Sequence, residues 1–472
     1  MLFSSLVFLW YFLPAVFLLY FITKNLHIRN GVLLAASLFF YAWGEPKYVI
    51  LMLVSIGLNY FFGLWIGRMQ SKHRMRLAVT TCVFLNLLLL GYFKYFNFAV
   101  EIANSLLSRF AGGAHTLSFR EIALPVGISF YTFQALSYVV DVYRGTIQAQ
   151  KNIFHLALYI SFFPQLIAGP IVKYHDIAQE IENRTQTVDG VTDGIRRFVV
   201  GLSKKVLISN TVGLVADTLF AADVSGLNAA AAWIGAVSYM LQIYFDFSGY
   251  SDMAIGLGEM FGFHFKENFN YPYISGSIRE FWRRWHMSLS GWFQEYLYIP
   301  LGGSRKGKIR TVINKFIVFL CTGIWHGANV TFLFWGLYHG CFLMLEEIVP
   351  AIREQGGKVK SFFQHVYTLL VVLIGFVFFR ADSMHQGAAW IKTMFTGFGS
   401  NTAAMSLALE QLTPLYLVTA AVGIVACCPV KMLVKKGRAY EAVTAAGSLA
   451  LLLLCMLSLA SGTYNPFIYF RF

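Results

Sequence analysis

Two histidines stand where an imidazole could do acid–base work. His286 closes the run Phe281-Trp282-Arg283-Arg284-Trp285-His286, and forty residues later His326 lies in Gly323-Ile324-Trp325-His326-Gly327-Ala328-Asn329, inside an otherwise apolar stretch. A neutral imidazole can take a hydroxyl proton near physiological pH. The plainer reading of His326 is a hydrogen-bonded core histidine. Gly323 and Gly327 favour the chemical reading, because glycine lets backbone or substrate approach closely. Asn329 adds a polar group at similar depth, and Trp325 and Trp335 are suited to wall an apolar channel. The plainer reading of His286 is an interfacial basic helix gripping lipid headgroups, with Arg283 its nearer helical neighbour at i−3. His326 and His286 are therefore the candidate catalytic residues. Trp325, Asn329, Arg283, Trp285 and His339 are the candidate substrate-tunnel residues.

Other chemistries find less support. No two of the eleven histidines are closer than 13 residues, whereas helical metal ligands recur every three or four. No metal site is expected, although distant helices could still assemble one. No G-x-S-x-G elbow occurs. Gly302–Ile309 resembles a phosphate-binding loop, but Ile309 stands where a Ser or Thr would hold magnesium. A solvated basic turn is the better reading. Cys82, Cys321, Cys341, Cys427, Cys428 and Cys455 lie in apolar runs without a CxxC and read as small buried hydrophobes. Asp141, Asp246 and Asp252 are expected to pair with buried Arg or Lys.

The elements that must hold these groups are membrane helices. Of 472 residues 57% are hydrophobic and only 13% charged, against about 25% charged in soluble domains. Mean hydropathy is +0.60, and many apolar runs approach the roughly 20 residues a membrane helix needs. The fold expected is all-α and polytopic, with about 10–12 transmembrane helices plus re-entrant or interfacial helices. Residues 1–472 read as a single domain, with no hydrophilic domain and no repeat. The net charge of +14 belongs to loops, as the positive-inside rule requires, and no nucleic-acid partner is expected. The first run, Leu2–Ile22, lacks a basic flank and a small-residue cleavage site, so it reads as a retained helix.

Loop charge predicts sidedness. Residues 23–30, 67–76 and 144–152 are basic and expected in the cytoplasm, with the N-terminus outside. Ile153–Ile171 is expected to cross, which puts the acidic loop Val172–Ile195 outside. Arg196–Phe220 either crosses or lies in the interface. Asn228–Phe247 reads as a span and Ser251–Phe263 as too short to be one. Lys266–Arg310, basic at its end, should be cytoplasmic, yet strict alternation does not put it there unless one segment is re-entrant. His326 is expected near mid-membrane, between two half-length or bent helices. The loop Lys431–Arg438 is expected in the cytoplasm.

Seven stretches together resemble the membrane-bound O-acyltransferase (MBOAT) family, in its bacterial alginate O-acetylation branch. They are SFYTFQALSYVVDVYRG (129–145), FFPQLIAGPIVKY (162–174), GLSKKVLISN (201–210), YFDFSGYSDMAIGLGEMFGF (244–263), NFNYPYISGSIREFWRRWHMSLSGWFQEYLYIPLGG (268–303), GIWHGANVTFLFWGLYHG (323–340) and YNPFIYFRF (464–472). The resemblance implies a helical domain with a tunnel through the membrane. It matches His326 to the family's catalytic histidine and His286 to its second active-site histidine. It implies transfer of an acyl group, expected to be acetyl from acetyl-CoA or another cytoplasmic thioester, with no bound cofactor. It also implies a polysaccharide acceptor, an extracytoplasmic SGNH-type acetyltransferase partner, and residence in the bacterial inner membrane. Related branches O-acetylate peptidoglycan or D-alanylate teichoic acid, and these stay open. So does a transporter that carries an acyl group or lipid without chemistry.

Overall fold

The computed structural model describes the chain apart from residues 111–116, 355, 400–401, 430–436, 463 and 469–472. Most of the loop Lys431–Arg438 and the last four residues therefore lie outside the described residues. Among the described residues every regular element is helical. Five helices are long and apolar enough to cross a membrane: Tyr48–Arg68, Lys72–Phe110, Val188–Ala221, Lys358–Arg380 and Tyr440–Ser461. A sixth candidate, Thr402–Gln411 with Pro414–Ala426, is bent by 69°. Length and composition alone thus mark five or six spans where apolar runs suggested ten to twelve. Other runs are folded as shorter or charge-bearing helices, such as Leu26–Gly44 and Lys308–His326.

Two elements differ from expectation in a way that matters for the site. Asn228–Phe247 and Ser251–Phe263 are joined in one helix, Ala229–Met260, of 32 residues. Asp246-Phe247-Ser248-Gly249 lies inside it and breaks nothing. Helix Val188–Ser203 packs along it on paired glycines. A Cβ at Gly201 would meet the Gly249 carbonyl oxygen at 2.5 Å, and one at Gly256 would meet that of Gly194 at 2.5 Å. Small residues let backbones approach where lipid supplies no hydrophobic force. The same seam takes up the carboxylates. Lys205 lies 2.6 Å from Asp246, and Lys204 and Arg197 lie 2.6 and 3.0 Å from Asp252. Both pair with cations, as expected. Asp141 does not. Its partners are His175 at 2.7 Å and the Tyr296 hydroxyl.

The second difference reverses a sidedness. The run 153–171 does not cross. Helix Ile153–Ser161 has nine residues, about 13 Å, which is half a hydrocarbon core. It stops at Phe162, whose backbone leaves the helical region at ψ 110°, and the chain re-enters the short helix Phe163–Leu166 with Pro164 in its first turn, where a missing N–H is tolerated. The freed Phe163 amide donates to Ser37 Oγ of helix Leu26–Gly44 at 3.1 Å. Tyr159 then donates to the Val172 carbonyl, and the chain returns to the side it left. Irregular backbone at membrane depth survives only when protein satisfies it in this way. The returning segment meets the basic loops: Asn30 donates to the Ile181 carbonyl, and Gln150 to Glu182. Arg144 and Lys173 both reach Glu295, and Lys266 reaches Asp176. The acidic loop Val172–Ile195 therefore lies on the same face as 23–30, 144–152 and 295–310, not opposite them. The re-entrant segment that alternation demanded is 153–171.

Candidate active site at a histidine pair

Helix Lys308–His326 ends at His326, and helix Val330–Ile348 starts four residues later. Each has 19 residues, so of the half-length or bent helices expected, neither is half-length. They meet on glycine: a Cβ at Gly323 would sit 2.6 Å from the Phe332 carbonyl oxygen and 3.1 Å from the Gly336 Cα. His326 Nδ1 lies 2.7 Å from the Thr322 carbonyl oxygen one turn back. A carbonyl only accepts, so Nδ1 carries the proton and donates, and Nε2 keeps its lone pair. Among the described residues nothing bonds to Nε2.

His286 stands at a corner between the short helices Ile278–Arg284 and Met287–Phe293, with a left-handed backbone at φ 44°. That conformation is strained for a non-glycine residue, and such strain gathers at working sites. Asn268 Oδ1 accepts from the Ser288 amide and hydroxyl and lies 3.1 Å from His286 Nδ1. Here too Nδ1 is the donor, and Nε2 is buried without a partner. The ring packs edge-on against Phe247 and lies 6.2 Å from Trp325. His286 is 1% exposed and His326 8%.

Two cavities meet at His326. One, of about 450 Å³, is lined among others by Glu45, Lys94, Pro125, Ser129, Trp325 and His326, a size typical of ligand pockets. It opens at the ends of Leu26–Gly44 and Ile128–Arg144 that lie away from the basic face. The other, of about 20 Å³, holds Trp285, His286, His326, Trp335, Phe379 and Ile468 in its wall. That is room for about one water-sized group. His326 belongs to both walls, and the smaller cavity brings the two histidines together.

The remaining sequence candidates divide. Trp325 lines the large cavity and Trp285 the small one. Arg283 does not belong with them: it is exposed, on the outer side of its helix, and lines neither cavity. Asn329 is a helix cap, accepting from the Thr331 amide and donating to the Asp382 carbonyl. His339 is fully buried with neither nitrogen partnered, boxed by Trp282, Trp335 and Tyr338 rings at 5.1–5.4 Å. It sits one ring behind His326 and lines neither cavity. Residues 302–309 form a turn opening helix Lys308–His326, with no strand before it. Cys341 and Cys428 are exposed rather than buried.

The sequence reading passed over Lys94, Asn268 and the stack of Phe133 on Trp292, 3.9 Å apart. Lys94 had a signal, since it is the lone charge between positions 77 and 100. Asn268 had none, because its role depends on a contact with residues 286 and 288. A further cluster, Asp141, His175 and Glu295, brings three metal-capable side chains within 4.8 Å. Its groups are already engaged: Tyr296 donates to Asp141, and the Lys173 ammonium to Glu295. The Asp141 and Asp176 hydrogen bonds lift the His175 pKa to about 9.

Comparison with known proteins follows this geometry. Residues 148–379 match the model of the membrane-bound O-acyltransferase family. The chain is 40% identical to a probable alginate O-acetylase, AlgI, of Pseudomonas putida, over the whole length of both chains. It is 44% identical to the Pseudomonas aeruginosa counterpart over 85% of this chain and 76% of the other. A peptidoglycan O-acetyltransferase of Helicobacter pylori is 36% identical over 84% of this chain and 80% of its own.

Proposed function

The chain belongs to the membrane-bound O-acyltransferase family, and on that premise we propose that it carries acetyl groups from a cytoplasmic thioester to a hydroxyl, for O-acetylation of an exported polysaccharide. It is a multi-pass membrane O-acyltransferase acting on polysaccharide. Acetyl-CoA is the proposed donor and an extracytoplasmic SGNH-type acetyltransferase the proposed partner. The bacterial inner membrane is the proposed location. Among the acceptors that the relatives' names offer, an alginate-like polymer is preferred to peptidoglycan, because the matches at 40–44% identity are alginate O-acetylases.

The observation that carries the reading is His326 at the wall between two cavities, with Nδ1 tied to Thr322 and Nε2 unpartnered. In the proposed step Nε2 takes the proton of the acceptor hydroxyl. The oxygen attacks the thioester carbonyl carbon, the C–S bond breaks, and the thiolate takes the proton back from the imidazolium. Base assistance of this kind is worth about 10²–10⁴-fold. His286 completes the pocket, its ring held by Asn268 and its Nε2 without a hydrogen-bond partner among the described residues. The basic face is the cytoplasmic one by its Lys and Arg content, and the large cavity then opens toward the acceptor.

Purified protein with labelled acetyl-CoA and its partner tests this. His326→Ala should remove transfer while leaving the yield of folded protein unchanged. Near-normal turnover would take His326 out of the chemistry and leave a carrier that does no reaction. Sidedness is checked with Asp189→Cys and Arg305→Cys on a cysteine-free background. Both should be labelled from the cytoplasm, and labelling from opposite sides would overturn this orientation.

A further inference from the structure

His326 is the last residue of its helix, and helix ends fray unless something holds them. The chain must leave the helix there. Gly327 is extended, at φ −174°, and the Phe332 ring lies 2.3 Å from where its Cβ would be. The last carbonyls of a helix have no partner within it. Here three of the last four, and the Thr322 carbonyl before them, meet side chains. His326 Nδ1 takes Thr322. The Tyr95 hydroxyl, from helix Lys72–Phe110, donates to the Ile324 carbonyl. Lys94, beside it, donates through Nζ to the Trp325 carbonyl, to the His326 carbonyl at 3.2 Å and to Ser129 Oγ at 3.3 Å.

A lysine at this depth is costly, and Lys94 is 9% exposed. An ammonium has three N–H donors, and all three are spent on these acceptors. None remains to hold a substrate anion, although Lys94 lines the large cavity. Its charge also sits at the negative end of the helix dipole, where a cation is favoured.

We propose that Lys94 is a positioning residue for acyl transfer: by gripping the Trp325 and His326 carbonyls it locks the final turn, so that Nε2 of His326 keeps one place between the two cavities. Tyr95 is its lesser companion. The proposal rests on the reading of His326 as the base.

The test uses the full chain in proteoliposomes with its partner and labelled acetyl-CoA, comparing Lys94→Met, Lys94→Arg, Tyr95→Phe and His326→Ala. A base displaced by about 1 Å can lose about 10²-fold in rate. Lys94→Met should therefore lower kcat by about 10²-fold with the donor KM unchanged, the mark of an interaction that matters only in the transition state. Lys94→Arg, whose guanidinium can reach two carbonyls, should recover part of it. Tyr95→Phe should lose less. Amide exchange over residues 323–327 should rise in Lys94→Met and, more weakly, in Tyr95→Phe. Normal kcat in Lys94→Met, or a raised KM with kcat intact, overturns the proposal. Should Lys94→Met fail to fold, Tyr95→Phe decides: unchanged kcat with unchanged exchange overturns it. Full activity in His326→Ala would instead sink the function reading beneath it, so the two failures are distinct.

Discussion

The histidine pocket and the charged seam of Val188–Ser203 and the following turn Lys204–Ser209 against Ala229–Met260 treat buried ionisable groups in opposite ways. In the seam each cation meets a carboxylate: Lys205 with Asp246, Lys204 and Arg197 with Asp252. In the pocket the polar atoms are left over. Nε2 of His286 and the indole nitrogens of Trp325 and Trp335, on the cavity walls, are buried without hydrogen-bond partners, and so are both nitrogens of His339 and the Trp282 indole nitrogen behind them. Most buried polar groups in proteins are hydrogen-bonded, and exceptions call for an explanation. A seam of matched charges holds two helices together and has nothing spare for a substrate. A pocket of orphaned groups costs stability and keeps its hydrogen-bonding capacity for whatever enters. His326 and His286 show the division within one ring, with Nδ1 spent on the fold and Nε2 without a hydrogen-bond partner among the described residues.

The contrast breaks most sharply at His286. His286→Ala should lower transfer about 10²-fold or more, the range of a lost acid–base or charge-stabilising group, with little change in folded yield. Arg305→Ala and Lys308→Ala, in the exposed turn, should stay near wild type. Equal loss in all three would make the effect a general electrostatic one and erase the distinction between pocket and surface.

The seam should fail in the opposite sense. Lys205→Met strands Asp246, which is 1% exposed, and stranding one partner of a buried pair costs about 3–5 kcal/mol. Thermal unfolding in detergent should show this as a large drop in the midpoint, and Asp246→Asn added to Lys205→Met should recover much of it. A variant that unfolds normally but no longer transfers acetyl would move this pair from scaffold to chemistry.

The smallest effect is a pH dependence at the basic face. Hydrogen bonds donated to Asp141 and Asp176 raise His175 to about 9 in the folded protein, against about 6.5 for a free histidine. A raised folded pKa adds stability that is complete below about 6.5 and is lost as pH climbs toward about 9. Wild-type protein should therefore lose stability between pH 6.5 and 9, and His175→Gln should lose less over that window. Parallel curves for the two would show that the cluster does not hold a charged His175.

Much of the candidate site was legible because its signals are local. An imidazole between glycines in an apolar run stands out by type alone, and so does one that closes a Trp-Arg-Arg-Trp run. Lys94 was equally visible as a lone charge in an apolar helix, but its purpose was not, since the carbonyls it holds lie more than 200 positions away in sequence. Asn329 and Arg283 misled for the same reason in reverse. They are polar residues beside a histidine in sequence, and in space one caps a helix while the other faces outward. His339 is at helical spacing from Trp335 and close to His326, yet it packs behind the pocket.

Composition determined by itself that the chain is a bundle of membrane helices, because so few charges cannot clothe a soluble surface. The residue types around His326 and His286 determined that an imidazole pair was the chemistry to look for. Which face the loops occupy was decided only by tertiary structure. A mostly apolar run of nineteen residues, 153–171, reads alike whether it crosses or turns back, and the turn depends on Ser37 receiving the amide freed at Phe163. The union of the two histidines in one cavity was also a tertiary decision. It depends on Asn268 holding one ring and on a helix that ends at the other, contacts that no local spacing encodes.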